Sequence, residues 1–341
     1  MGKKFPIITN LKAHPQFFEK TLKLIEKSFK YAAPFSFAED FAPLVESGNH
    51  HNCFILVDEA ENVLAHVGAK DRIVSVNDKE FTVTMLGGIA VEERARGEGH
   101  FTTLFNDVLA EKRGEAAFLL LWSDLEKLYN KFGFQLCGTQ FEVPRSPQAP
   151  LEFEQTKYHL LSAAEKEELR ALYETSFAKT YLTLERSAED WEGISRLSSA
   201  DLYLERFSGT IRGYFFKGKG QDLTDIIYEY GTAGDLPRFV TEASRVGKVW
   251  AGSEILETEE TQYQFFLCPG DLRAFTEFIK EFSAGKILIR NINLLKQEVF
   301  FDFTDELYSL ELADFLRGIF GPGTFEELEL RPLYISGLDS I

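Results

Sequence analysis

Between Gly87 and Leu109 the chain reads GGIAVEERARGEGHFTTLFNDVL. An apolar, strand-like run empties into arginine, glutamate and glycine, and a helix-like run follows almost without a break. A glycine turn that opens a helix aims several backbone N–H groups in one direction, and the positive end of the helix dipole adds to them. Gly97 and Gly99 carry no Cβ, so phosphate oxygens can approach the backbone closely. Arg94 and Arg96 add charge. The chemistry this pattern supports is capture of a phosphate-bearing cofactor, with a purely structural turn as the plain alternative. A Walker loop is excluded because no Gly-Lys-Ser/Thr ending follows, and the dinucleotide GxGxxG fingerprint fails for want of a third glycine.

The elements that must position this turn are readable on either side of it. Helical spacing of Phe, Leu and Ile starts at Phe17. Strands are expected in NCFILVDE and VLAHVGAKDRIVSV, about a turn at 59–62, and from about Glu80 to Val91. A helix from about His100 to Arg113, the strand AAFLLLW, a short helix from Leu125 to Phe132 and the strand FQLCGTQFEV complete the first half. PRSPQAP, Pro144 to Pro150, stiffens a connector and denies a sheet its donors, which makes it the best boundary in the chain. The expected division is 1–145 and 152–341. Beyond the boundary, Ser162 and Glu165 form a capping-box signature. IRGYFFKGKG and LTDIIYEYGT read as a hairpin, DLPRFVTEASRVG as a helix and KVWAGSE as a strand. That order repeats the first half, as a diverged internal repeat. The strands YQFFLC, KILIRNINL and EVFFDF and the helices DLRAFTEFIKEF and LELADFLRGIF follow. Mixed strands flanked by helices predict an α/β class.

Composition narrows the partners. A formal net charge of −17 repels phosphodiester backbones, which argues against nucleic acid and favours a cationic acceptor, with solubility as the plain alternative. No apolar run is long enough for a signal peptide or a membrane span, so no membrane association is expected, and Met1-Gly2 alone is weak support for myristoylation. The three cysteines are scattered among apolar neighbours, which predicts reduced thiols and a cytoplasmic protein. Cys53 with His50 and His51 lacks a second ligand pair, so no metal is expected.

The turn resembles the acetyl-CoA motif of the GCN5-related N-acetyltransferase superfamily, Val-x-x-x-x-Arg/Gln-x-x-Gly-x-Gly/Ala followed by a leucine-rich helix. The register that keeps the five-residue step from Val91 is Arg96-Gly-Glu-Gly99-His-Phe101, with Phe at the last position. Multi-domain acetyltransferases of the enhanced intracellular survival type are also bulky there. The resemblance implies that Ile89, Ala90 and Val91 offer backbone hydrogen bonds to the pantetheine arm. It also implies that Arg96, Gly97, Glu98, Gly99, His100, Phe101 and Thr102 cradle the pyrophosphate.

A second stretch, LLLWSDLEKLYNKFGFQLCG, is similar to the family's strand followed by Tyr-x-x-x-Gly-Phe, here Tyr129 to Phe134. The resemblance places Tyr129 beside the cofactor sulfur. A phenol with an ordinary pKa of about 10 is protonated at neutral pH and can donate to a departing thiolate. Asp124 is expected either to contact the acetyl-CoA arm or to cap the short helix.

LERSAEDWEGISR, with Arg186 and Trp191, resembles the entry to the central domain of the tandem family, whose fold lacks a working cofactor site. The stretch IIYEYGTAGDLPRF lacks a basic glycine loop, so one acetyl-CoA site is expected rather than two. The expected architecture is two tandem acetyltransferase-like units with mostly antiparallel sheet, the second degenerate, plus a C-terminal tail. In the same family the terminal carboxylate acts as general base, so the resemblance assigns Ile341 that role, with a merely docked tail as the alternative. Glu92, Glu93 and His50 are reserve bases. The implied reaction is direct acetyl transfer to the amine of a small molecule or peptide. The rivals are an acyl-CoA-binding sensor or scaffold without turnover, and an aminoacyl-tRNA-dependent aminoacyltransferase, which the acidic charge opposes.

Overall fold

The computed structural model describes residues 6–148, 153–256, 261–323, 325 and 328–341. In the first half, β1 (Ile7–Asn10), α1 (Phe18–Phe29), α2 (Phe37–Asp40), α3 (Ala42–Val45), β2 (Cys53–Val57), β3 (Val63–Val76) and β4 (Lys79–Val91) lead to the glycine turn. After it come α4 (His100–Lys112), β5 (Phe118–Leu121), α5 (Glu126–Tyr129) and β6 (Gln135–Val143). The second half runs β7 (Glu154–Thr156), α6 (Ala163–Leu172), α7 (Ala178–Thr180), α8 (Ala188–Arg196), β8 (Asp201–Phe207), β9 (Thr210–Lys217), β10 (Ile226–Thr232), α9 (Leu236–Ala243) and β11 (Lys248–Ala251). It closes with β12 (Thr261–Pro269), α10 (Leu272–Phe282), β13 (Ile287–Asn293), β14 (Glu298–Phe303), β15 (Glu306–Glu311) and α11 (Leu312–Phe320).

Among the described residues, one sheet carries the order β1-β2-β3-β4-β5-β12-β6-β11-β10-β9-β8-β7, and β13-β14-β15 form a smaller one. The pairs are antiparallel except β4 with β5 and β10 with β11. Those two parallel pairs are each bridged by one helix, α4 and α9, so the internal repeat read from the sequence has a matching topology in the two halves. The sheet is nevertheless continuous. β12, from the second half, lies between β5 and β6, pairing Phe266 with both Leu121 and Leu136. β11 pairs with β6, Val249 opposite Val143. Of the Pro144–Pro150 connector, Ala149 and Pro150 lie outside the described residues.

Local signals explain the helices. Ser162 accepts from the Glu165 N–H while Glu165 accepts from the Ser162 N–H, the expected capping box on α6. Ser187 and Asp190 make a second one on α8, in a Ser-x-x-Asp spacing. Each box satisfies donors that a helix start otherwise leaves open. Large aromatic cores form on both sides: Phe105, Phe118 and Phe134 are buried in the first half, Tyr214, Phe215 and Phe216 in the second. Trp191 is buried in that second core.

Candidate active site

Two features of β4 open the site. Its register with β3 pairs Ala90 with His66 and Gly87 with Gly68, so Gly88 and Ile89 together face Val67, which is a β-bulge. A bulge bends its strand. Gly88 takes the left-handed conformation there, φ +58°, and its carbonyl meets the Nδ1 of buried His66 at 2.7 Å. On the other side, pairing with β5 ends at Met85–Leu120. Past that point β4 and β5 diverge, and the β5-facing backbone groups of the segment from Leu86 to Val91 have no strand partner. An extended chain with alternating donors and acceptors fits such an edge.

The turn after β4 is open in the sense a phosphate needs. Gly97 and Gly99 have φ of +84° and +83°, and a Cβ built on either would meet no atom within 4 Å. Gly99 is the N-cap of α4, and no side chain caps that helix. The first-turn N–H groups have no acceptor within the helix. Arg96 folds back so that its Nε donates to the Val91 carbonyl at 3.3 Å, and His100 lies 3.0 Å from the exposed Glu98 carboxylate. Thr102 is exposed. At its far end α4 is tied to β3 through Lys112, buried and 3.0 Å from Asp71. Open space beside Gly97 and Gly99, first-turn N–H groups without a helical acceptor and the positive end of the helix dipole coincide at the start of α4.

Phe101 explains the bulky last position of the motif. Its ring stacks on Phe105 at 4.9 Å and meets Tyr129 and Phe132 edge-on at 6.2 and 5.6 Å. The first turn of α4 is thereby packed directly against the short α5 that carries the tyrosine. Tyr129 is only 4% exposed. Burial pushes its phenol up to about 12, against a side-chain hydrogen bond with Ser123 that pulls it down. The group is a proton donor across the physiological range. The capping alternative for Asp124 is corrected: the N-cap of α5 is Leu125, and it is Ser123 Oγ that accepts from the Leu125 N–H at 3.1 Å. Asp124 is exposed to a cavity instead.

That cavity, about 630 Å³, brings together Ile89, Asp124, Tyr129 and Ile341. The turn residues Arg96–Thr102 are not among its walls, nor is Ala90, which is buried. The Ile341 main chain stands so close to β4 that a Cβ on Gly87 would lie 2.7 Å from its carbonyl oxygen. Aromatic walls come from both halves, including Tyr31, Phe41, Trp122, Tyr228, Trp250 and Tyr334. Asp124 and Asp222 line it, and no Lys, Arg or His does among the described residues. Sequence reasoning missed Ser123, Tyr31 and Asp222, which carry no motif; only the fold gathers them.

Two of the three reserve bases are engaged elsewhere. Glu92 pairs with Lys27 at 2.9 Å, which holds its carboxyl below the usual range. His50 Nε2 lies 3.0 Å from the Val45 carbonyl, and Glu93 is exposed. The Cys53 thiol donates to the Leu44 carbonyl, and burial pushes it up to about 12. Among the described residues no His/Cys/Asp/Glu group is arranged to hold a metal, and no helix is long and apolar enough to cross a membrane.

A family model for the acetyltransferase (GNAT) domain matches residues 12–137, the stretch that carries the glycine turn and Tyr129. No curated protein matches the sequence. Among solved structures, a conserved Enterococcus faecalis V583 protein described as a probable N-acyltransferase shares 13% identity, with 89% of this chain and 84% of that one covered and a TM-score of 0.59. Eis1 from Mycobacterium abscessus shares 12%, with 89% and 85% covered and a TM-score of 0.57. Saccharomyces cerevisiae N-myristoyltransferase with bound myristoyl-CoA shares 11%, with 79% and 84% covered and a TM-score of 0.52. The likeness extends over both halves and is one of fold: mixed α/β, mostly antiparallel, as in acyltransferases.

Proposed function

We propose that the protein is an acetyl-CoA-dependent N-acetyltransferase that moves the acetyl group to an amine of a small molecule or peptide by direct attack. Residues 1–145 are the cofactor-binding unit in this reading, and 152–341 a second acetyltransferase-like unit without a cofactor site, plus the tail. The observation that carries it is convergence. The unpaired edge of β4 and the Tyr129 phenol meet in a cavity whose charged walls are acidic, directly beside an uncapped helix start.

Acyl-CoA supplies an activated thioester and a thiolate leaving group. The N–H groups from Gly97 to Thr102 hold its diphosphate, and the β4 edge at Ile89–Val91 orients its arm. A backbone N–H of the bulge faces the developing oxyanion. Tyr129 Oη keeps its proton until a thiolate accepts it. The carboxylate of Ile341 takes the ammonium proton of the acceptor, directly or through water. Asp124 and Asp222 with the aromatic walls favour a cationic acceptor, since aromatic faces and carboxylates both attract ammonium groups. Fixing both reactants in one cavity removes much of the entropic barrier.

The test is amine-dependent release of CoA thiol from acetyl-CoA, myristoyl-CoA and intermediate chains. Tyr129→Phe is expected to lower kcat about 100-fold with acetyl-CoA affinity within about twofold. Tight acyl-CoA binding with no release from any amine would instead identify a sensor, and preference for a long chain would replace acetyl by a fatty acyl group.

A further inference from the structure

The last residues are fixed by a layer of buried charge that the proposed chemistry does not use. Lys219 is 2% exposed. Its Nζ donates to the carbonyls of Gly337 (2.9 Å), Leu338 (3.4 Å) and Ser340 (2.6 Å) and to Ser340 Oγ (3.2 Å), and sits 4.7 Å from the Phe41 ring centroid. Asp339, between those carbonyls in sequence, accepts from Arg186 Nε at 3.0 Å and Nη2 at 2.8 Å, and faces Arg72 at 3.5 Å. Arg186 is itself pinned by Glu229, and its guanidinium carbon stands over the rings of Tyr173 and Trp191, 4.4 and 4.8 Å from their centroids. Upstream, the Gln264 side chain bonds both the N–H and the carbonyl of Ile335.

Charges come from three places: Arg72 on β3, Lys219 and Arg186 in the second half, and Asp339 in the tail. Apolar side chains of similar volume would stabilise the same packing as well or better, because buried charges must be desolvated. What an ionic cluster adds is selection of one register, since any slip of the tail leaves a charge unpaired. A lysine clasping three carbonyls within four residues fixes the turn at 337–340 with little freedom. The next residue is Ile341, at the Gly87 wall of the cavity.

We infer that Lys219 and Asp339, with Arg186 behind them, are positioning residues that lock the 337–341 turn so that the Ile341 end is held at the point of acyl transfer. The second half then has a role that needs no cofactor site of its own. This rests on the reading of Ile341 as proton acceptor.

The experiment uses the full chain with acetyl-CoA, and 2-phenylethylamine and 1,4-diaminobutane as acceptor probes. Lys219→Met removes the clasp. Gly337→Ala is a second variant that alters no charge but pushes the turn off the Tyr228 ring, where a Cβ would lie 2.6 Å away. Lys79→Ala breaks an exposed pair with Glu277 and serves as the control. In both turn variants kcat falls at least 30-fold, KM for acetyl-CoA stays within twofold, and amide exchange across 337–341 rises at least tenfold; the control changes none of these. Unchanged exchange in either variant overturns the lock. Raised exchange with unchanged kcat overturns its link to transfer. If the unaltered protein turns over neither amine although exchange rises in the variants, the transferase reading fails and the positioning role falls with it.

Discussion

The two parallel strand pairs differ most at the start of the helix that joins them. In the first half, α4 begins at a left-handed Gly99 with no cap, and empty space surrounds Gly97 and Gly99. In the second half, α9 begins at Asp235, whose carboxylate accepts from the Arg238 N–H at 2.7 Å, with Pro237 in the first turn. A negative side chain thus occupies the helix start where an anionic ligand would otherwise sit. The lining differs as well. Gly231 on β10 is packed against Tyr214, 2.6 Å from where a Cβ would be, whereas β4 faces a cavity. One topology yields an open turn or a sealed one, and in the sealed one the protein supplies its own anion.

The comparison is broken most directly by giving the first turn what the second has. Gly99→Asp is expected to weaken acetyl-CoA binding about 1000-fold, through charge repulsion and lost phosphate contacts, as read by calorimetry; an affinity within about fivefold of the unaltered protein would show that the turn does not hold the diphosphate.

It is sharpened by acid. Behind the β4 bulge stands His66, fully buried; desolvation pulls it down to about 4, against its bond to the Gly88 carbonyl. The unfolded chain binds that proton near pH 6.5, so the stability is present above about 6.5 and is lost as pH falls toward 4, up to about 3 kcal/mol. The second half is braced by Arg186 and Asp339. Burial pushes the Asp339 carboxyl up, but Arg186 and Arg72 outweigh it and hold it below the usual carboxylate range, so this brace survives that window. Urea midpoints followed from pH 7 to 4 should fall, and His66→Phe should flatten the fall.

The smallest effect lies in the sealed turn. Asp235→Ala should cost about 1 kcal/mol of stability by urea denaturation and leave the acetyl-CoA stoichiometry at one per chain. A second equivalent bound would mean that the aspartate alone closes the site.

The sequence carries the parts of this comparison that are local. The β4–turn–α4 unit is legible because its glycines, its apolar strand and its helix are contiguous, and the Ser162 cap because its spacing is fixed by helix geometry. What escapes is non-local. YQFFLC reads as a strand, but nothing in it tells that it pairs with FLLL and QLCGTQF, more than a hundred residues earlier. DLYLERF and ELYSLE, the strands β8 and β15, are short alternating runs with charges, and β15 is largely exposed. Arg186 and Trp191 stand out as a pair, but their partner Asp339 lies 153 residues away. The cavity walls gather from stretches as far apart in sequence as Ser28 and Ile341, and no spacing rule reaches across them.

The placement of β12 governs how the molecule is made. The amino-terminal sheet has a gap between Leu121 and Leu136 that only Phe266 and its neighbours fill. During synthesis that gap stays open until Pro269 has cleared the ribosome, and the walls given by Tyr334 and Ile341 arrive later still. A nascent chain that stops at the proline connector exposes two unsatisfied strand edges, which invite pairing with other chains. The two halves are therefore poor candidates for separate expression, and the cavity gains its full set of aromatic walls only after β12 and Tyr334 have been made.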